Sequence, residues 1–113
     1  MVILSSFFIS CDKAVGTDGV VVNNSTGERI PDVSVKMTSE QGDRKDITDS
    51  KGYFDTTKWF SCGIGNCNTD YKIEFTKDGF EKKVINENFY DSSEVEFTNN
   101  EKKDTLIIRL IAK

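Results

Sequence analysis

Residues 33 to 37, Val-Ser-Val-Lys-Met, alternate strictly between apolar and polar side chains. A period of two is the signature of a half-buried β-strand, with Val33, Val35 and Met37 on the core face and Ser34 and Lys36 toward water. The rest of the chain repeats that pattern between turn signals. "DGVVVNN" (18 to 24) is a first strand, closed by "NSTGERIPD", in which Gly27 and Pro31 punctuate a turn that cannot continue a ladder. After a polar hairpin around "EQGDRK", "DIT" runs into "DSKGYFDTT". There Asp49 to Gly52 supply a tight turn and Tyr53 to Thr57 the returning strand. "DYKIEFTKDGFEKKVI" sets Tyr71, Ile73 and Phe75 on one face and turns at Asp78-Gly79. In the closing "DTLIIRLIA", Leu106, Ile108 and Leu110 alternate with Ile107, Arg109 and Ile111, so both faces of that strand are expected to be partly covered. With a weaker segment at "EVEFT", the count is about seven or eight strands in about 100 residues, the size of a small antiparallel sandwich. No helical periodicity is sustained long enough to compete.

Composition limits the chain to one such domain, since it has 113 residues, of which 36% are hydrophobic and 30% charged. Fifteen basic against nineteen acidic residues give a net charge of -4, without the basic stripe that a phosphate backbone demands. Nucleic acid is therefore not an expected partner.

The chain opens "MVILSSFFISCDK". This apolar run is too short for the ~20 residues that a helix needs to cross a bilayer. Its β-branched and bulky residues suit a strand at a sheet edge, but the cysteine points elsewhere. An apolar stretch ending in a small residue before Cys, with charge just after, resembles a bacterial lipoprotein signal in which "FISC" fills the lipobox. The resemblance implies lipid on the Cys11 sulfur, cleavage before it and acylation of the new amino terminus. Phe8 stands where Leu is usual and no Lys or Arg forms an n-region. The stretch is also shorter than the roughly 15 to 30 residues of an export signal, which points to a start upstream of Met1. On this reading residues 1–10 are a signal remnant, 11–17 a lipidated Cys with a short tether, and 18–113 the folded domain. The tether "DKAVGT" spans roughly 20 Å even when fully extended, so the domain is expected to sit close to the membrane.

Three cysteines are an odd count for an exported chain, and lipidation of Cys11 leaves an even pair. That pair, Cys62 and Cys67, brackets a flexible Gly-Ile-Gly-Asn segment and is expected to form a disulfide. Closing so short a loop stabilises the fold by roughly 2 kcal/mol in the chain-entropy model. Two free buried thiols are the alternative. Zinc is not expected, because a structural site needs four N or S ligands and the chain has no His.

Taken in order, "GVVVNNSTGERIPDVSVKM", "TDSKGYFDTT", "YKIEFTKDGFEKKV" and "DTLIIRL" resemble the carboxypeptidase regulatory-like domain. The resemblance covers nearly everything from Asp18 to Leu110. It implies a transthyretin-like (prealbumin-like) seven-stranded antiparallel Greek-key sandwich, usually an accessory module on enzymes, adhesins or outer-membrane transport proteins. Peptidase activity in that family belongs to a neighbouring zinc domain, which this chain lacks. Transthyretin-like proteins also include a hydrolase of a purine breakdown product, built on His and Arg with a Ser-rich tail. Here the tail reads "RLIAK" and His is absent, so no general base of the usual kind and no hydrolytic triad is available. No catalytic residue, metal or cofactor is expected. Asp43, Asp46, Asp49 and Asp55 cluster in sequence but lack the ligand spacing of a calcium loop, and solvated turn residues are the simpler reading. "NNST" carries overlapping glycosylation sequons, read here as turn residues, and "DTT" and "DTL" match an O-glycosylation triplet short enough to occur by chance.

The departure from the family pattern is the insertion "TKWFSCGIGNCNTD", longer than a hairpin needs. It carries the sole tryptophan, Trp59, beside Phe60. Exposed, these rings would anchor a protein partner or stack on a sugar; folded back, they would form a lid over the open end of the sandwich. The sequence thus predicts a non-catalytic lipoprotein of a Gram-negative cell envelope, outer membrane favoured, that is anchored at Cys11 and binds or braces another envelope component, with a protein as the expected partner. The alternative is a carbohydrate-binding accessory module that uses Trp59, Phe60 and Tyr53.

Overall fold

The structure, a computed structural model, describes residues 12–61, 68–88, 96–99 and 104–113. Among these the chain forms β-strands and no helix. In chain order they are β1 (Asp12–Val15), β2 (Asp18–Asn23), β3 (Ser34–Ser39), β4 (Arg44–Ile47), β5 (Tyr53–Asp55), β6 (Lys58–Ser61), β7 (Tyr71–Thr76), β8 (Lys83–Asn86), β9 (Glu96–Asn99) and β10 (Asp104–Leu110). One four-stranded sheet has the order β5-β2-β10-β9, a second has β4-β3-β7-β8, and β1 pairs with β6 in a two-stranded ribbon.

The alternation read from the sequence fixes which face each strand buries. Val33, Val35, Met37, Ile73, Phe75 and Ile108 are fully buried, and Leu106 and Leu110 nearly so. These side chains, with Val21 and Phe54, belong to one hydrophobic cluster fed by both four-stranded sheets. Phe54 of β5 meets Phe75 of β7 edge to face, with ring centroids 5.1 Å apart and planes at 76°. That contact ties one sheet to the other and contributes about 0.5–1.5 kcal/mol beyond the area it buries. Arg109 and Ile107 on the opposite face of β10 are half-buried, which matches the reading that both faces are covered.

Two features differ from an all-antiparallel, seven-stranded arrangement. The first and last strands of the two-sheet body, β2 and β10, pair in parallel, with Val21 opposite Ile108. A parallel pair needs a long crossover connection, and here most of the chain lies between the two strands. The described strands also number ten. Those beyond the segments legible in the sequence are β1, in the stretch read as a tether, and β6, in the stretch read as a loop. Each is four residues long. Neither carries a periodic signal of its own, and each is a strand because the other pairs with it.

Turn chemistry holds the connections. The Asn23 carboxamide oxygen accepts the backbone N–H groups of Ser25 (2.8 Å) and Thr26 (3.3 Å), which gives the sequon asparagine a turn role. Thr48 is 2% exposed and clasps the turn at Pro31 and Asp32. Its hydroxyl donates to the Ile30 carbonyl at 2.8 Å and accepts from the Val33 N–H at 2.8 Å. Asp32 holds φ at 60°, the left-handed region that Asp tolerates better than most residues, and its N–H donates to the Thr48 carbonyl.

Candidate functional site

The β1–β6 ribbon continues the β2–β5 ladder. Asp18 pairs with Asp55 and Val15 pairs with Lys58, so a single register runs through both pairs. The strands are interrupted over residues 16–17 and 56–57; Gly16 there has a φ of +88°, and a Cβ on it would collide with the Thr56 carbonyl oxygen. At the junction, Thr17 and Thr56 are joined through backbone and side chain. The hairpin between β3 and β4 supports the other side of β6. The Ser61 N–H donates to Gln41 Oε1 at 3.0 Å and Gln41 Nε2 donates to the Ser61 carbonyl at 3.3 Å. Arg44 Nη1 donates to the Thr57 carbonyl. The ribbon is therefore braced along both edges of β6.

Strand alternation separates the aromatic candidates. Phe60 is fully buried, and Val15 lies on the same inner face at 8% exposure. Trp59 points the other way and is 69% exposed, opposite the exposed methyl of Ala14. Tyr53 is exposed on β5, with the Arg29 guanidinium 5.1 Å from its ring centroid. Trp59 lies six positions after Tyr53, roughly 20 Å along an extended strand. The expectation of a platform built from Trp59, Phe60 and Tyr53 is thus corrected: Phe60 is withdrawn into the interior by the period of two, and the remaining rings stand apart. Cys11, Cys62 and Cys67 lie outside the described residues.

The clustered carboxylates are occupied by the backbone. Asp49 Oδ1 accepts the N–H groups of Tyr53 (3.0 Å) and Lys51 (2.9 Å), which hold its carboxyl below the ordinary carboxylate value; the Lys51 and Arg29 charges act in the same direction. The Thr57 N–H, 2.8 Å from Asp55 Oδ1, lowers that group likewise, against a partial burial that raises it. Asp46 accepts from Ile47 and from Asp55, both at 2.8 Å. Asp43 faces Lys36 at 4.0 Å. Among the described residues, no three His, Cys, Asp or Glu side chains converge as metal ligands.

A groove of about 520 Å³ lies at the other end of β3, where Ser34, Thr76 and Phe80 meet Lys77, Lys82 and Lys113. Asp32 and Asp78 complete its polar rim. Lys77 donates to the Pro31 carbonyl at 3.1 Å, and Lys82 reaches Glu74 at 3.7 Å. Sequence reasoning missed this groove because its residues come from two turns far apart in sequence and from Lys113. It also missed the Gln41 clasp, for which no local signal exists.

Comparison with known protein families, with characterised proteins and with solved structures yields no match for this chain. The functional reading therefore rests on the residues and their geometry.

Proposed function

We propose that the chain is a lipid-anchored, non-catalytic component of a Gram-negative cell envelope that binds or braces another envelope component. We further propose that its two-sheet body is a Greek-key sandwich of the carboxypeptidase regulatory-like, transthyretin-like kind. The observation that carries the reading is the pairing of β1 (Asp12–Val15), the four residues after Cys11, with β6. The residues after a lipidated Cys11 would then be a ladder strand and not a free tether, which would set the body directly on its anchor. The groove at the far end of β3 would face away from the membrane, where a partner has access. Its rim, with Lys77, Lys82 and Lys113 beside Asp32 and Asp78, suits a polar protein surface of mixed charge.

Crosslinking and affinity capture of the tagged protein from its native membranes tests this reading. The expected result is a partner captured by the wild type and lost when Lys82 and Lys113 are both replaced by Glu. Capture of nothing, or of the same proteins by that variant, contradicts it. The exposure of Trp59 favours a second reading, a carbohydrate-binding accessory module, which tryptophan fluorescence during glycan titration examines.

A further inference from the structure

We propose that the outer face of the β1–β6 ribbon lies in the membrane headgroup layer, with Trp59 as the inserted side chain. The inference rests on the lipid anchor at Cys11 proposed above and adds a second, side-chain contact with the same membrane.

Register sets the distance. Trp59 pairs with Ala14, the third residue after Cys11, so the chain from Cys11 to the partner of Trp59 can span at most roughly 10 Å. The headgroup regions make up the difference between a bilayer of about 40–45 Å and its hydrocarbon core of about 30 Å, so each is several ångströms deep. With the ladder lying along the bilayer surface, a lipidated Cys11 therefore holds the Trp59 ring within reach of that layer.

Chemistry matches the location. The indole has an apolar body and one N–H donor, the combination that concentrates Trp at membrane interfaces. At 69% exposure it is the most exposed of the large hydrophobic side chains identified at the surface, and its cross-strand neighbour is only an alanine. An aqueous surface gives such a ring no packing partner.

Rigidity completes the argument. The Gln41–Ser61 clasp and the Thr17–Thr56 junction fix β6 before any membrane is met, so insertion orders one side chain and no backbone. Phe60, buried on the inner face, keeps the outward direction of Trp59 from inverting, because a one-residue slip would expose it.

Trp59 is the sole tryptophan, so the emission of the whole protein reports this one residue. The test uses the acylated full chain, its lipid verified by intact mass, in phosphatidylethanolamine–phosphatidylglycerol vesicles, with the unlipidated Cys11→Ser protein in buffer as the water-exposed reference. The expected result is emission shifted to the blue, several-fold weaker quenching by aqueous acrylamide, and strong quenching by lipids brominated near the headgroup. An acylated protein that floats with the vesicles but keeps the emission and acrylamide quenching of the reference overturns the proposal and leaves the anchor standing. Emission that responds to added glycan and not to brominated lipid also overturns it. Protein from native membranes with no acyl group on Cys11 overturns both the proposal and the anchor.

Discussion

Thr56 and Thr17 are joined by three hydrogen bonds. The Thr56 N–H and hydroxyl both donate to the Thr17 carbonyl at 2.8 Å, and the Thr17 N–H donates back to Thr56 Oγ1 at 3.2 Å. Thr56 is fully buried, so its hydroxyl has no water to fall back on. This pair sits where the ladder leaves the two-sheet body and enters the ribbon, and it couples the exposed Trp59 to the core.

Replacing Thr56 by Val keeps the shape and removes both side-chain bonds, which leaves the Thr17 N–H without its acceptor. The expected loss is about 1–3 kcal/mol, seen as a lower denaturant midpoint with an unchanged slope. Hydrogen exchange should show β1 and β6 losing protection before β3 and β7.

Gly27 and Gly52 both hold positive φ, +76° and +80°, but only Gly52 is crowded. An added Cβ at Gly52 would meet the Val21 carbonyl oxygen at 2.9 Å and Arg29 Cβ at 3.1 Å, whereas Gly27 has nothing within 4 Å. Gly27→Ala is expected to cost about 1 kcal/mol from backbone strain alone. Gly52→Ala should cost clearly more, because the Val21–Gly52 backbone bond of 2.9 Å must shift as well. Thermal unfolding of the two variants side by side measures the difference.

The carboxyls of Asp49 and Asp55 are held below their ordinary value of 3.8 by backbone donors. A depressed folded-state value contributes stability that is present above the unfolded-state value and is lost as pH falls through the lower, folded one. Denaturant midpoints should therefore be flat near neutral pH and fall below about pH 4. An Asp49→Asn, Asp55→Asn double variant is expected to show a shallower fall. An equally steep fall would assign the acid sensitivity to other groups.

Phe60 and Trp59, neighbours in sequence, should respond oppositely to truncation. Phe60→Ala empties a fully buried site and is expected to cost about 3–5 kcal/mol. Trp59→Ala removes an exposed ring and should stay within about 0.5 kcal/mol of the wild type. Urea titrations of both decide the point. The same contrast makes Trp59→Ala alone the suitable functional variant, since a double substitution would confound binding with unfolding.

Much of the two-sheet body is legible in the sequence because burial imposes a period of two on it. Val33, Val35 and Met37, and likewise Ile73 and Phe75, are where alternation puts them. The "DSKGYF" turn is legible for the same kind of reason, since Asp49 and Gly52 each meet a local demand. The ribbon is not legible, because "DKAV" and "KWFS" are separated by more than forty residues and gain their strand character only from each other. The parallel pairing of β2 with β10 is equally hidden: alternation says which face a strand buries and nothing of which strand lies beside it. Of the aromatic candidates, Trp59 stands out in the sequence by its rarity, while the burial of Phe60 follows from the parity of a strand that the sequence does not announce.

We propose that this body is held at a membrane by lipid on Cys11, and the intact mass of the protein isolated from its native membranes decides the point. The expected result is a mature chain that begins at Cys11 and carries the added mass of its acyl groups. An unprocessed chain that begins at or before Met1, with no acyl group, would contradict it.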